Sequence, residues 1–307
     1  MPLETDAVPP PLSRASDFPP EVLRLFDQYV HGLIDRRSFI DSAGRFAAGG
    51  IGGAALLTAL SPRFAWARKV APTDARIKAE YLEIASPSGY GKVRGYLVSP
   101  ANAAGKLPVV LVVHENRGLN PHIEDIARRL ALDNFIAFAP DALFTFGGYP
   151  GNEDKARELF GQLDQNKVRE DFVAASRYAQ ALPAGSGDLG AVGFCFGGGM
   201  VNYLATRLGS SLAAAAPFYG PAPASDQVPL IKAELQLHFA GNDERINAGW
   251  AAYEAALKAA KVRYEGHIYP KTEHGFNNDT TPRFDEAAAR LAWQRTLALF
   301  NRTLRST

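Results

Sequence analysis

The 307-residue sequence has one cysteine, Cys195, so no disulfide can form within the chain. With no second thiol and no paired histidine–cysteine spacing, nothing marks a zinc site, and no metal is expected. An excess of charge is missing too: 33 Lys and Arg face 32 Asp and Glu, a formal net charge of +1. No basic cluster stands out, so nucleic acid is not an expected partner. Long hydrophobic runs are also absent. The most apolar stretch, residues 47–60, is too short and too rich in glycine to cross a bilayer, and no stable membrane span is expected. Outside that alanine–glycine run the chain has no low-complexity segment, and it has no internal repeat.

What is present fits one large α/β domain. At 47% hydrophobic content, 307 residues can bury a single substantial core. After Lys69 strand-like and helix-like patterns alternate, which predicts a mostly parallel sheet with helices on both faces. Residues 81–85 and 92–98 read as an opening antiparallel pair, and the fully apolar 108–113 as a central strand. Helices are expected over 121–133, 153–163, 168–182, 248–260 and 284–304, and further strands over 135–139, 213–219, 235–240 and 264–269. The loop 142–152 carries Phe144 and Tyr149 and is aromatic enough to wall a pocket.

The chain is organised around residues 190–199, where a short apolar strand runs through Gly193-Phe194-Cys195-Phe196-Gly197 into a helical pattern. A strand-to-helix turn this tight needs small residues beside its central one, whose side chain then stands clear. The following helix aims its free N–H groups at the sulfur, which favours thiolate and any oxyanion formed beside it. A lone cysteine among apolar residues also reads as a small buried hydrophobe. Order along the chain argues for chemistry: an acid, Asp243, and a histidine, His274, follow in turn, each just past the end of a strand, as in α/β-hydrolases. Glu244 competes with Asp243 for the part of the acid.

The amino-terminal region differs in texture. Residues 1–20 are expected to lack fixed structure, and 20–33 to form an amphipathic helix. Arg36-Arg37, the weakly apolar run 47–60 and Ala65-Trp66-Ala67 together form the pattern of a twin-arginine export signal, with cleavage after Ala67 and a periplasmic destination. The alternative is a helical arm packed on the domain of a protein that stays in the cytoplasm. The expected organisation is thus an arm over 1–67 and an α/β-hydrolase domain over 68–307.

His114-Glu115-Asn116-Arg117-Gly118-Leu119, the cysteine elbow, Gly241-Asn242-Asp243 and His274-Gly275-Phe276 together resemble the dienelactone hydrolase (carboxymethylenebutenolidase) family, over roughly residues 81–304. The resemblance implies a Cys195–His274–Asp243 triad cleaving a lactone or carboxylic ester through a thioester, with a small-molecule substrate and no cofactor. It also implies that Glu115 contacts the resting thiol and takes part in its activation. The oxyanion hole would come from backbone N–H groups of Asn116 and Phe196. In that family arginine helps bind a substrate carboxylate, but 276–279 read Phe-Asn-Asn-Asp, without the arginine expected there. Arg117 and Arg245 are the candidates to replace it. His114 is expected to pack behind Glu115, and His31, His122, His238 and His267 to be structural. Two other readings stand beside the hydrolase: an idle scaffold that binds a ligand, and a redox-responsive thiol.

Overall fold

A computed structural model describes residues 13–46 and 52–305. Four short helices come first: α1 (Pro20–Val30), α2 (Arg36–Ala43), α3 (Gly53–Leu60) and α4 (Phe64–Ala67). The domain follows as β1 (Ile77–Ser86), β2 (Gly91–Pro100), β3 (Leu107–Val113), α5 (Pro121–Leu132), β4 (Ile136–Pro140), α6 (Glu153–Gly161) and α7 (Gln165–Gln180). Then come β5 (Gly185–Phe194), α8 (Phe196–Leu208), β6 (Ala214–Phe218), β7 (Glu234–Ala240), α9 (Glu244–Asn247), α10 (Trp250–Ala259), β8 (Tyr264–Tyr269) and α11 (Glu286–Leu304).

The eight strands form one sheet in the order β1-β2-β4-β3-β5-β6-β7-β8. The β1/β2 and β2/β4 pairs are antiparallel and the rest parallel. β3 is wholly buried, as its unbroken apolar run requires, and its side chains alternate between two cores. Val109, Leu111 and Val113 pack with Phe172 of α7, Leu204 of α8 and Leu257 of α10. Val110 and Val112 face Ile126 of α5 and Phe300 of α11. The edge pair β1/β2 runs several residues further than its sequence suggests. On β1 six of the ten residues, the unbroken run from Lys78 to Glu83, are not buried, so period-2 patterning is weak there.

The amino-terminal helices have a core of their own, built from Val22, Leu23, Phe26, Tyr29, Phe39, Leu57 and Leu60 among others. Structure also reaches further toward the amino terminus than expected, because Ala15–Asp17 form a 3-10 turn in which the Arg14 N–H donates to Asp17 at 2.7 Å. The rest of the segment expected to lack structure, residues 1–12, lies outside the described residues, as does 47–51 of the apolar run. Among the described residues no helix is long and apolar enough to cross a membrane.

Candidate active site

Cys195 joins β5 to α8 with φ 56° and ψ −114°, a left-side conformation that a non-glycine residue adopts at a cost. Its neighbours show why the motif needs glycine. A Cβ on Gly193 would come within 2.2 Å of the Gly197 carbonyl oxygen, and one on Gly197 within 2.2 Å of that of Val113. Backbone crowding therefore excludes any side chain at these two positions, one on each side of the cysteine. The N–H of Phe196 lies in the first turn of α8, where the helix supplies no acceptor.

Asp243 and His274 meet at the same end of the sheet, after β7 and β8. One carboxylate oxygen of Asp243 accepts from the Ile246 N–H at 3.2 Å, and the other lies 2.5 Å from Nδ1 of His274. Both residues are buried, while the competing Glu244 is exposed. Nε2 of His274 has no hydrogen-bond partner among the described residues, and a ring nitrogen of His274 lies within 4.8 Å of the Cys195 sulfur.

The imidazole bonded to that sulfur is another one. Nε2 of His31 is 3.4 Å from Sγ of Cys195, and the His31 and His274 rings meet edge to face with centroids 4.6 Å apart. The expectation that His31 is a structural residue without a partner is therefore wrong. Asp27, one helical turn earlier on α1, offers its backbone oxygen to His31 Nδ1 at 2.7 Å and its carboxylate at 3.2 Å. Asp-x-x-x-His on one helix face was the available signal.

The end of α1 is fixed by sequence and by the domain. His31 is the last, half-helical residue, and Gly32 follows at φ +76°. Gly32 N–H donates to Tyr29 O and Leu33 N–H to Gln28 O, the paired bonds of a glycine-terminated helix. The exposed carbonyls of the last turn then accept from the domain. Val30 O takes the Asn116 amide at 2.9 Å and the Arg117 guanidinium at 3.1 Å, and Tyr29 O accepts from Arg157. Tyr29 donates its hydroxyl to Asp154, which also pairs with Arg36 at 2.7 Å.

These contacts set the charges. Burial alone would raise the Cys195 thiol, but the neighbouring imidazoles of His274 and His31 bring it down to about 5. Burial would lower His274, yet the sulfur and Asp243 carry it up to about 10. His31 is likewise raised, against burial, by Asp27 and Cys195, and Asp27 is held well below the usual carboxylate range by His31 despite its own burial. Thiolate and imidazolium are thus the favoured forms. One thiolate and two imidazoles are donor types that bind zinc. Here the Arg245 guanidinium stands 3.0 Å from Nε2 of His31, a positive charge set against any cation there.

The sulfur opens on a cavity of about 470 Å³ whose walls include Glu115, Asn116, Arg117, Tyr149, Arg283 and, from the arm, Arg36 and Phe64. The position expected of Glu115 on the resting thiol is occupied by His31, and Glu115 accepts from the Asn278 amide at 3.0 Å instead. Arg117 is buried, with Nη1 on Asn116, Nη2 on Val30 O and Nε 3.5 Å from the Glu153 carboxylate, so the side chain is held in place and has little reach toward a substrate. Arg245 is exposed on the far side of His31 and does not line this cavity. Phe144 is also outside it, stacked under Arg94 at 5.1 Å, because its 3-10 turn (Ala142–Phe146) points that side chain away. Tyr149 does wall the cavity, with its hydroxyl donated to Glu153 at 2.8 Å. Sequence reasoning missed Arg283, nine residues past His274, which is buried with Nε and Nη1 unpartnered among the described residues. His114 packs as expected: the Ala142 N–H donates to its Nε2 at 3.1 Å, and burial lowers it to about 4, so it is neutral.

A profile described as "Dienelactone hydrolase family" matches residues 93–304. The chain belongs to the dienelactone hydrolase family. Its fold is that of the α/β-hydrolases, and it is an ester or lactone hydrolase. A separate profile, "YqhI-like", matches residues 10–48, the arm that carries His31. "Putative carboxymethylenebutenolidase" of Synechocystis is 33% identical over 232 residues, covering 70% of this chain and 93% of that protein. "Putative hydrolase fragment YghX" of Escherichia coli K12 is 59% identical over 110 residues, 36% of this chain and 94% of that one. Among solved structures, a "Putative Dienelactone Hydrolase" from Klebsiella pneumoniae superposes with a TM-score of 0.64 at 29% identity, covering 73% of this chain and 98% of its own.

Proposed function

We propose that this hydrolase cleaves a lactone or carboxylic ester through a thioester on Cys195. The observation that supports this most is the convergence of the strained, low-pKa thiol with an imidazole whose far nitrogen is held 2.5 Å from a buried carboxylate. The thiolate adds to the carbonyl carbon, and the carbonyl oxygen takes up the negative charge against the backbone N–H groups of Asn116 and Phe196. The bond to the leaving oxygen breaks as that oxygen takes the proton from Nε2 of His274. The neutral imidazole then takes a proton from a water whose oxygen adds to the thioester carbon. The carbon–sulfur bond breaks to return the thiolate and release the acid. Asp243 keeps the ring in the orientation that presents Nε2 throughout. The guanidinium of Arg283, a cavity-lining residue with two nitrogens that lack a partner among the described residues, favours a substrate with an anionic group.

Turnover of p-nitrophenyl acetate and a panel of enol-lactones tests the reading, with mass spectrometry for an acyl adduct. Loss of turnover in Cys195→Ser and His274→Ala and an adduct on Cys195 are expected. An adduct on a serine, or undiminished turnover in Cys195→Ala, overturns it. Export by the twin-arginine route is a separate proposal, because cleavage after Ala67 would take His31 away from the cavity; its test is the amino terminus of protein from the native host, where intact Met1 counts against cleavage.

A further inference from the structure

The active-site sulfur is touched by a side chain from outside the domain that carries the elbow. We propose that Asp27 and His31 of the amino-terminal arm are a second carboxylate–imidazole pair of the active site, acting on Cys195 beside Asp243 and His274. This rests on Cys195 being the reacting group. The argument is geometric. His31 presents Nε2 to Sγ at 3.4 Å, while its Nδ1 is held by Asp27 at 2.7 Å through the backbone oxygen and 3.2 Å through the carboxylate. Asp243, from the opposite end of the chain, holds Nδ1 of His274 directly through its carboxylate, at 2.5 Å. His31 also sits at the carboxyl end of α1, where the helix dipole favours a protonated ring. The placement is built in, because Asn116, Arg117 and Arg157 all donate to the last carbonyls of that helix.

The groups facing His31 are Asp27 on its own helix, Cys195 at the elbow, His274 after β8 and Arg245 on α9, with Arg283 acting on Asp27. Arg245 can donate to Nε2 only while that nitrogen is bare, so it must release the ring when the sulfur's proton arrives. In the free enzyme the proton moves from Sγ to Nε2 of His31, leaving thiolate and imidazolium, and Asp27 balances the new charge. His274, which lines the cavity and whose Nε2 has no partner among the described residues, is then left to serve the leaving oxygen and the attacking water.

The test uses the full-length chain and its His31→Gln and Asp27→Asn variants. The rate of Cys195 alkylation by iodoacetamide is followed against pH, alongside ester turnover. His31→Gln is expected to move the midpoint of the thiol titration upward by about one pH unit or more, with Asp27→Asn shifting it less in the same direction. Turnover at neutral pH falls by roughly 10–100-fold. Alkylation profiles that superpose on the unmodified protein in both variants would overturn the proposal. So would a rise in turnover with unchanged titration, which would make the arm a plug. Because alkylation reads the sulfur without any substrate, a shifted profile upholds the His31 contact even where Cys195→Ser leaves ester cleavage intact and the thioester reading fails.

Discussion

A buried thiolate is unfavourable unless positive charge faces it, and at Cys195 two imidazoles do so, each backed by a carboxylate. The sign of the pH dependence follows. A thiol brought from 9.0 down to about 5 stabilises the fold above its ordinary value and loses that contribution as pH falls through about 5. An imidazole raised from 6.5 to about 10 contributes fully below 6.5 and loses its share as pH rises through about 10. The ion pair therefore spans the interval between, and alkylation of Cys195 is expected to be nearly flat over roughly pH 6 to 9 and to fall in acid. At His274 the Asp243 contact fixes the tautomer. Asp243→Asn is expected to lower kcat on the order of 10³–10⁴-fold, read from steady-state ester hydrolysis, with the fold retained by circular dichroism.

Two turns decide where the reactive groups stand. At the elbow, Gly197 lies against the Val113 carbonyl, so a methyl there must displace the strand β3 itself. Gly197→Ala is expected to cost about 3 kcal/mol in urea unfolding and to remove activity with it. At the end of α1, Gly32 has φ +76° and open space around its Cα, so the cost of Gly32→Ala is backbone strain alone, about 1 kcal/mol. That loss falls on the element that delivers His31. The expected outcome is a small change in global melting and a larger fall in turnover.

For the molecule as a whole, the arm and the domain form one cavity, with Arg36 and Phe64 on one wall and Glu115 and Tyr149 on the other. Asp154 fastens both Tyr29 and Arg36, so Asp154→Ala is expected to loosen the arm. Faster tryptic cleavage at Arg36 and Arg37, with reduced ester turnover, is the measurement. Processing after Ala67 would remove His31 altogether, and a processed chain should then alkylate with the profile of His31→Gln.

The sequence by itself determined the fold of the domain, because long apolar strands and amphipathic helices bury their faces in few ways, and most of the domain's elements are local enough to read from their periodicity. It also placed Cys195, Asp243 and His274 at strand ends, since glycine spacing and chain order are local signals, and it carried the Asp27–His31 pair and the glycine stop after it. Only the tertiary structure decided what those groups meet. The His31–Cys195 contact joins residues 164 apart, and Arg283 enters the cavity through a loop with no periodicity to announce it. Phe144, Arg117 and Arg245 carried the right chemistry for a pocket wall, but side-chain direction and prior hydrogen bonds, which no local pattern encodes, turned Phe144 and Arg245 away and tied Arg117 down.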